Sequence, residues 1–330
     1  MVSAGLALSF SLGQMTDILV TRSLPADILA PLHQLGTVTI WDGDGPMPYQ
    51  EMMGAIGEAR GVLSMLTDII DERLLDGSPH LQVISQMAVG LDNVDLDACR
   101  MRGVRVGHTP GVLTETVADT AFGLMAAVVR RLPEGQRLVR DGLWGPWSPF
   151  WLAGGDLHGR TLGVVGMGRV GSALVRRASG FDMAVVYSSP RDMGVAGRRL
   201  DLDSVLDRAD ILVLCAPLNP DTRGMIGRDQ LERLGVDSHL VNVARGPLVV
   251  TDDLVSALAS GAIAGAALDV TDPEPLPSNH PLLEFDNCLV TPHIASASVA
   301  TRRSMAGLAV ANLVAALTGA EMPAEAVPGR

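Results

Sequence analysis

Three ionisable residues follow short apolar runs in the second half of the chain. Arg245 ends VNVAR, Glu274 lies in DVTDPEPLP, and His293 ends LVTPH. Arginine offers a planar fork suited to a carboxylate, whereas histidine titrates near neutral pH and serves as acid or base. A nearby carboxylate orients the ring and favours the imidazolium. Singly, these residues also fit a surface ion pair, a rigid turn and a structural histidine. Together they meet the demands of reducing a 2-keto acid.

A glycine-rich turn predicts the kind of cofactor that would take part in that chemistry. The segment TLGVVGMGRVG places Gly166, Gly168 and Gly171 in GxGxxG spacing, directly after an apolar run and before a helix-like segment. The first glycine permits a tight turn, the second lets backbone N–H groups approach a pyrophosphate, and the third allows close helix packing. This context predicts dinucleotide binding.

The next apolar run discriminates between the two nicotinamide cofactors. NAD sites usually place an acidic residue there, about 20 residues after the glycines, for the ribose 2′-hydroxyl. This chain has Ser188 and Ser189, followed by Arg191. Two hydroxyls and a guanidinium suit a 2′-phosphate, so we predict a preference for NADP(H). NAD(H) use remains open, with Asp192 as its carboxylate.

Alternating apolar runs and helix-length segments must position these groups. They predict βαβ units around parallel sheets. In the first third, candidate strands lie at 18–23, 38–42, 61–66, 81–85 and 104–108. The second series lies at 161–167, 183–188, 210–217, 239–245, 264–270 and 287–293. The chemical groups therefore follow strand ends, where ligands bind in open parallel sheets.

Two long helix candidates, at 114–132 and 300–319, flank the second series and predict a discontinuous organisation. We expect an α/β protein in which a Rossmann doubly wound parallel-sheet domain is inserted into a smaller flavodoxin-like α/β domain. The predicted bounds are 109–295 for the dinucleotide-binding domain, and 15–108 with 296–330 for the substrate-binding domain. Residues 1–14 are expected to be a flexible extension, or to precede a natural start at Met15.

Several motifs resemble those of the D-isomer-specific 2-hydroxyacid dehydrogenases. They are VVGMGRVG, VNVARGPLVVTDDLVSAL, ALDVTDPEPLPSNHPL and LVTPHIASAS. Within that family, WDGDGPMP, VISQMAVGLDNVDL and RVGHTPGVLTETVADTA are similar to the glyoxylate/hydroxypyruvate reductases. The resemblance extends from Met15 to Pro323.

The resemblance implies roles for individual residues. Arg245, Glu274 and His293 would be the catalytic trio, and Arg245 together with the backbone of Val89 and Gly90 would hold the substrate carboxylate. Asp269 would bind the nicotinamide carboxamide. Trp147, in the Trp-rich segment WGPWSPFW, would enter the partner subunit's active site. The full implied cofactor site comprises Gly166, Gly168, Arg169, Val170, Gly171, Ser188, Ser189, Arg191, Ala216, Pro217, Thr222, Val243, Ala244, Asp269, His293 and Ala295.

The implied activity is NADPH-dependent reduction of glyoxylate and hydroxypyruvate to glycolate and D-glycerate by a homodimer. Ala295 stands where the family usually has glycine, which would narrow the space beside the nicotinamide and alter substrate choice. Two alternatives remain open: an NAD(P)-dependent relative with another substrate, and a non-catalytic dinucleotide sensor or corepressor. Fold alone does not decide between them.

The composition and charge of the chain restrict which other molecules it can bind. The net charge is −12 and the 25 basic residues are scattered, which disfavours binding to nucleic acid or an anionic membrane. No apolar run reaches the roughly 18–20 residues that span a bilayer. An export signal is also disfavoured, because no Lys or Arg precedes the apolar patch within residues 1–14. Three widely spaced cysteines argue against a disulfide framework or a zinc site. We therefore expect a cytoplasmic protein without a metal.

Overall fold

The computed structural model describes residues 17–326, so the predicted extension at 1–14 lies outside the described residues. The chain divides into two compact units. Unit 1 comprises the residues up to Val112 and those from Arg302 onward, and unit 2 comprises Leu113–Thr301. No helix within 17–326 is long and apolar enough to cross a membrane.

Unit 1 contains a five-stranded parallel sheet. Its strands are β1 Ile18–Val20, β2 Val38–Ile40, β3 Gly61–Ser64, β4 Val83–Gln86 and β5 Arg105–Gly107, in the order β2-β1-β3-β4-β5. This is the flavodoxin-like order. The intervening helices are α1 Ala26–Leu29, α2 Tyr49–Ile56, α3 Glu72–Asp76 and α4 Leu96–Met101. Helices α3 and α4 begin at aspartates that accept hydrogen bonds from the backbone of the first turn.

Unit 2 contains a seven-stranded parallel sheet. Its strands are β6 Thr161–Val165, β7 Ala184–Ser188, β8 Arg198–Arg199, β9 Ile211–Leu214, β10 His239–Asn242, β11 Gly265–Leu268 and β12 Cys288–Val290. The order β12-β11-β10-β9-β6-β7-β8 reverses direction beside β6, as in a doubly wound Rossmann sheet. Its helices are α5 Thr114–Val129, α6 Leu132–Arg140, α7 Arg169–Ala178, α8 Leu202–Leu206, α9 Arg228–Leu234 and α10 Thr251–Ser260.

The sheet of unit 2 is buried on both faces, because helices cover each side. Alternate strand residues enter two separate apolar clusters. Val164 and Val213 pack on the side of α5 and α7, whereas Val165 and Leu212 pack on the side of α8, α9 and α10. This period of two is the expected consequence of strand geometry. The continuous apolar runs in the sequence therefore belong to strands without a solvent face.

The final helix, α11 Val299–Leu317, begins in the last residues of unit 2 and continues in unit 1. It corresponds to the helix predicted at 300–319, as α5 corresponds to the one at 114–132. Short 3-10 helices at Leu32–Gln34, Ser179–Phe181, Gly246–Leu248 and Pro281–Leu283 complete the secondary structure. The predicted α/β fold class, with two parallel sheets, is confirmed.

Candidate active site

His293 and Glu274 form a direct pair beyond the ends of β11 and β12. The imidazole Nδ1 lies 2.6 Å from Glu274 Oε1. The other carboxylate oxygen, Oε2, accepts a hydrogen bond from the backbone N–H of Thr271 at 3.3 Å. Both side chains are partly exposed. The pair is thus held by protein contacts on one side while it remains accessible to a small molecule.

The charge state of Glu274 determines which nitrogen of the His293 ring carries a proton. Partial burial raises the pKa of this carboxyl. This effect is outweighed by the hydrogen bond and charge of His293, the Thr271 amide and the charge of Arg245, so the pKa lies below its ordinary value. An ionised carboxylate can only accept hydrogen bonds, so Nδ1 of His293 carries a proton. The remaining nitrogen, Nε2, is the atom available for proton exchange.

Arg245 follows β10 in a turn that packs closely against the loop of Glu274. A Cβ atom on the next residue, Gly246, would lie 1.9 Å from the carbonyl oxygen of Thr271, so only glycine allows this approach. Asn242 ties the turn together by donating to the Arg245 carbonyl at 2.8 Å, and Arg245 Nη1 donates to the Ala244 carbonyl at 2.8 Å. The structure therefore brings all three predicted catalytic residues to one edge of the sheet.

Asp269 anchors the turn that carries His293. Its carboxylate accepts hydrogen bonds from the Thr291 hydroxyl at 2.7 Å and from the backbone N–H groups of Ile294 at 2.8 Å and Ala295 at 2.7 Å. Its side chain is only 1% exposed. His293 itself adopts a left-handed φ of 54°, which costs a non-glycine residue roughly 1–2 kcal/mol. The Asp269 contacts hold the backbone in this conformation.

The observed contacts of Asp269 differ from the contact that the resemblance implies for it. Both carboxylate oxygens face the histidine turn, whereas the resemblance assigns Asp269 to the nicotinamide carboxamide. That assignment stays a prediction. Nothing in the sequence indicates a function for Thr291 or Asn242, although each lies within three residues of a predicted catalytic residue.

The glycine turn joins β6 to α7. A Cβ on Gly166 would lie 2.5 Å from the backbone nitrogen of Ala216, and one on Gly171 would lie 2.7 Å from the Gly166 carbonyl oxygen. These two glycines therefore let the turn approach β9 and let α7 pack on β6. Gly168 is exposed, is the N-cap residue of α7, and would place a Cβ in open space.

This arrangement fits a pyrophosphate. The exposed backbone at Gly168 has no side chain to obstruct a ligand, and the N-terminus of a ten-residue helix attracts negative charge. Arg169 and Val170 form the first residues of the helix, with Arg169 exposed. The backbone N–H of Gly166 donates to the Ser188 carbonyl at 2.9 Å, which places the end of β7 beside the turn.

The loop after β7 is internally fixed. Asp192 accepts hydrogen bonds from the Gly194 amide at 3.0 Å and from the Tyr187 hydroxyl at 2.8 Å, and these contacts lower the pKa of its carboxyl. Arg199 donates to the carbonyls of Ser189 and Pro190. The carboxylate proposed as the NAD alternative is thus engaged within its own loop. Arg191 is exposed.

The other residues of the predicted cofactor site lie at the same carboxyl edge of the unit 2 sheet. Ala216 and Pro217 follow β9, and the Thr222 hydroxyl donates to the Pro217 carbonyl at 2.8 Å. Val243 and Ala244 follow β10. Ala295 is buried, and its carbonyl accepts a hydrogen bond from the Thr120 hydroxyl.

Val89 and Gly90 belong to unit 1, in the loop after β4. Trp147 lies in the segment between α6 and β6, where its side chain is 82% exposed. Trp144, Phe150 and Trp151 are exposed in the same segment. A run of exposed aromatic side chains is typical of an interaction surface.

Comparison with known proteins identifies the family of the chain. Residues 122–295, which include the glycine turn and the three predicted catalytic residues, match the NAD binding domain of the D-isomer specific 2-hydroxyacid dehydrogenases. The chain belongs to this family. It is 41% identical over 321 residues to the human glyoxylate reductase/hydroxypyruvate reductase, covering 94% of this chain and 98% of the human protein. It is 42% identical over 314 residues to the glyoxylate reductase of Thermofilum pendens, covering 93% and 92% of the two chains.

Solved structures of other proteins support the family membership of this dehydrogenase. A protein from Thermus thermophilus superimposes with a TM-score of 0.90 at 45% identity, covering 94% of this chain and all of that one. An NADPH-dependent glyoxylate/hydroxypyruvate reductase from Sinorhizobium meliloti, in complex with NADP and malonate, gives a TM-score of 0.84 at 32% identity, covering 95% and 97%. The predicted family is confirmed.

Proposed function

We propose that this dehydrogenase reduces glyoxylate and hydroxypyruvate with NADPH, giving glycolate and D-glycerate. The observation that carries the proposal is the 2.6 Å contact between His293 Nδ1 and Glu274 Oε1, in a loop packed against the Arg245 turn. An acid–base group, its carboxylate partner and a cation at one sheet edge match the needs of 2-keto acid reduction.

In the proposed reduction, His293 gives the proton on Nε2 to the carbonyl oxygen of the substrate. Glu274 stabilises the imidazolium before transfer and keeps the ring oriented through Nδ1. Arg245 binds the substrate carboxylate and polarises the ketone. When bound, the nicotinamide supplies the hydride. The reverse reaction uses the same groups, with neutral His293 accepting the proton.

The preference for NADPH is also a proposal. Ser188, Ser189 and Arg191 offer hydroxyls and a guanidinium at the end of β7, and Asp192 is engaged by Tyr187 and Gly194. A ribose 2′-phosphate would find a positive partner there in Arg191, while the Asp192 carboxylate is already engaged as an acceptor and is not available to a ribose 2′-hydroxyl. The S. meliloti relative, which is NADPH-dependent and binds NADP and malonate, supports both the cofactor and a carboxylate-bearing substrate.

We further infer a cytoplasmic homodimer in which Trp147 contributes to the partner subunit's active site. The exposed aromatic segment around Trp147 supports the dimer. The three cysteines are free thiols, as expected in a reducing compartment. The acidic chain with scattered basic residues offers no pattern for nucleic acid.

The proposal is tested by initial-rate oxidation of NADPH and NADH, measured by absorbance, with glyoxylate, hydroxypyruvate and pyruvate. We expect fast NADPH oxidation with the first two substrates and slow oxidation with pyruvate. Activity with NADH alone would refute the cofactor preference and leave the trio intact. The absence of turnover with all three substrates and both cofactors would refute the proposed substrate class.

A further inference from the structure

Three successive carbonyl groups in the loop after β4 are each held by a hydrogen bond from unit 1. We define the β4 loop as residues 87–93. The Ala88 carbonyl accepts from the backbone N–H of Thr109 at 2.8 Å, and the Val89 carbonyl lies 3.1 Å from His108 Nδ1. The Gly90 carbonyl accepts from Gln86 Nε2 at 3.0 Å. Because a carbonyl only accepts, Nδ1 of His108 carries the proton.

Fixed carbonyls determine where the amide groups point. In a planar trans peptide the N–H is directed opposite to the C=O of the same unit. The Ala88 carbonyl therefore orients the N–H of Val89, and the Val89 carbonyl orients the N–H of Gly90. Within residues 17–326, neither N–H donates to a protein acceptor. Val89 is 39% exposed. Two adjacent donors are thus presented outward, as required to bind an anion.

His108 is held in position by its own backbone. Its N–H donates to the Ala324 carbonyl at 3.1 Å, and its carbonyl accepts from Asn312 Nδ2 at 3.0 Å. Both partners belong to the C-terminal part of unit 1. The imidazole is therefore a fixed donor beneath the Val89–Gly90 peptide.

The far end of the β4 loop is closed by a pair of amide side chains, buried Gln86 and partly exposed Asn93. Gln86 Nε2 donates to Asn93 Oδ1 at 2.5 Å, and Asn93 Nδ2 donates back to Gln86 Oε1 at 3.2 Å. The hydroxyl of Ser64 also donates to Gln86 Oε1. Reciprocal amide contacts define one orientation for each side chain, so the pair fixes both ends of the loop.

A second polar cluster connects this pair to the loop after β3. Asn93 Nδ2 donates to the Asp68 carbonyl at 2.6 Å. The buried Asp68 carboxylate in turn accepts from the Thr21 hydroxyl at 2.5 Å and the Met65 amide at 2.7 Å. Every polar group in this chain of contacts has a partner, which is the condition under which a buried network rigidifies its surroundings.

We propose that His108 and Gln86 are positioning residues that set the affinity for the substrate carboxylate. His108 orients the N–H of Gly90 through the Val89 carbonyl, and Gln86 fixes the same residue from its other side by holding the Gly90 carbonyl. This inference rests on the proposed function and on the role that the family resemblance implies for the Val89 and Gly90 backbone, which is to bind the substrate carboxylate together with Arg245. Neither side chain touches the reacting atoms. Their loss should therefore weaken ground-state and transition-state binding equally, raising KM and leaving kcat unchanged.

The test compares His108→Ala, His108→Asn and Gln86→Met with the wild-type protein. We expect the alanine and methionine variants to raise KM for glyoxylate roughly tenfold, the typical effect of a lost hydrogen bond at a binding group. Their kcat and KM for NADPH should stay unchanged. His108→Asn should restore KM, because the asparagine Nδ2 occupies the place of the histidine Nδ1.

Ser85→Ala is the matched control. Ser85 precedes Gln86 in β4, is fully buried, and its hydroxyl has no hydrogen-bond partner in the described chain. Its removal changes the same strand without affecting the β4 loop. Thermal unfolding of all four variants would identify any change in KM that reflects misfolding. A folded His108→Ala protein with wild-type KM would refute the proposal, as would equal losses in His108→Ala and His108→Asn.

Calorimetric titration with malonate in the presence of NADPH separates this inference from the proposed function. If the wild-type protein binds malonate but turns over neither keto acid, the proposed substrates are wrong and the variants still test the loop through malonate affinity. We expect the same roughly tenfold weakening in His108→Ala and Gln86→Met. If the folded wild-type protein neither binds malonate nor reduces a keto acid, the anion-binding role of the β4 loop is refuted.

Discussion

At the scale of single residues, the imidazole of His293 is fixed through both its ring and its backbone. Glu274 holds Nδ1 at 2.6 Å, while Asp269 accepts three hydrogen bonds from the turn around it. An acid–base group in one orientation contributes about 10²–10⁴-fold to a rate. The carboxylate of Glu274 is central to this arrangement because its lowered pKa keeps it ionised and an acceptor at neutral pH.

Glu274→Gln should therefore lower kcat by about 10²–10⁴-fold. The amide has nearly the same shape, but it lacks the negative charge that stabilises the imidazolium. KM for NADPH should change little, because Glu274 faces His293 rather than the glycine turn. Steady-state kinetics with saturating NADPH measure both quantities. Wild-type turnover in the variant would show that His293 needs no carboxylate partner.

Arg191→Ala tests the cofactor preference. The guanidinium is exposed beyond β7, where it can pair with a 2′-phosphate. We expect KM for NADPH to rise about tenfold, as for a lost charge-assisted hydrogen bond, and KM for NADH to stay constant. Arg208→Ala is the control, since this exposed arginine follows α8 and contacts the Ser204 carbonyl. Equal changes for both cofactors would contradict a role in phosphate recognition.

Residue types and strand-end positions predicted that Arg245, Glu274 and His293 meet at one edge of the sheet, and their catalytic roles stay predictions. The sequence did not indicate how Asp269 is used, because its three donors come from a turn more than 20 residues away. Asn242 was missed for a related reason. An asparagine after an apolar run has many possible partners, and only the folded turn shows that it closes on Arg245.

At the scale of elements, apolar runs predicted eleven of the twelve described strands. The exception is β8, whose two arginines are both exposed and carry no apolar pattern. Predicted strands were often too long at their carboxyl ends. The run at 239–245, for example, continues past β10 because Val243 is buried in the core without pairing in the sheet. Burial and strand pairing are different properties, and hydrophobicity reports only the first.

Two glycines of the turn, Gly171 and Gly168, should respond differently to replacement by alanine. Gly171→Ala forces a Cβ to within 2.7 Å of the Gly166 carbonyl, so α7 must shift away from β6. We expect a loss of about 1–3 kcal/mol in the free energy of unfolding, the usual cost of overpacking. Denaturant titration measures this change. An unchanged midpoint would show that α7 moves without cost.

Gly168→Ala should affect NADPH binding more than the stability of the fold. Its Cβ meets no protein atom within 4 Å, so the loss of stability should stay below about 1 kcal/mol. The methyl group nevertheless enters the exposed face proposed for the pyrophosphate, and KM for NADPH should rise severalfold. A variant with normal NADPH kinetics would place the pyrophosphate elsewhere.

At the scale of the whole molecule, the alternation of elements predicted two βαβ series and their parallel sheets. The alternation does not determine the strand orders, because these depend on which crossovers pack together. The predicted domain limits were 108/109 and 295/296, whereas the two units divide after Val112 and after Thr301. The first division lies just before α5 and the second lies within the first turn of α11, where the local sequence contains no break in pattern. The binding roles of the two units remain predictions.

Acid stability is a property of the whole fold, and the partly buried His239 should contribute to it. His239 begins β10, between β9 and β11, where burial and then the charge of Arg160 lower its pKa to about 4 from an ordinary 6.5. Between these values the unfolded chain binds a proton that the native protein does not. Stability is therefore complete above pH 6.5 and falls as the pH drops toward 4, by no more than about 3 kcal/mol from this group.

His239→Gln removes the titrating group and should flatten this dependence, even if the variant is less stable at neutral pH. The measurement is the free energy of unfolding by denaturant at intervals between pH 4 and 7. His158→Gln is the control, because His158 is exposed and should leave the slope as in the wild-type protein. If His239→Gln retained the wild-type slope, the acid sensitivity would have to arise from carboxylates, whose lowered pKa values act at more acidic pH.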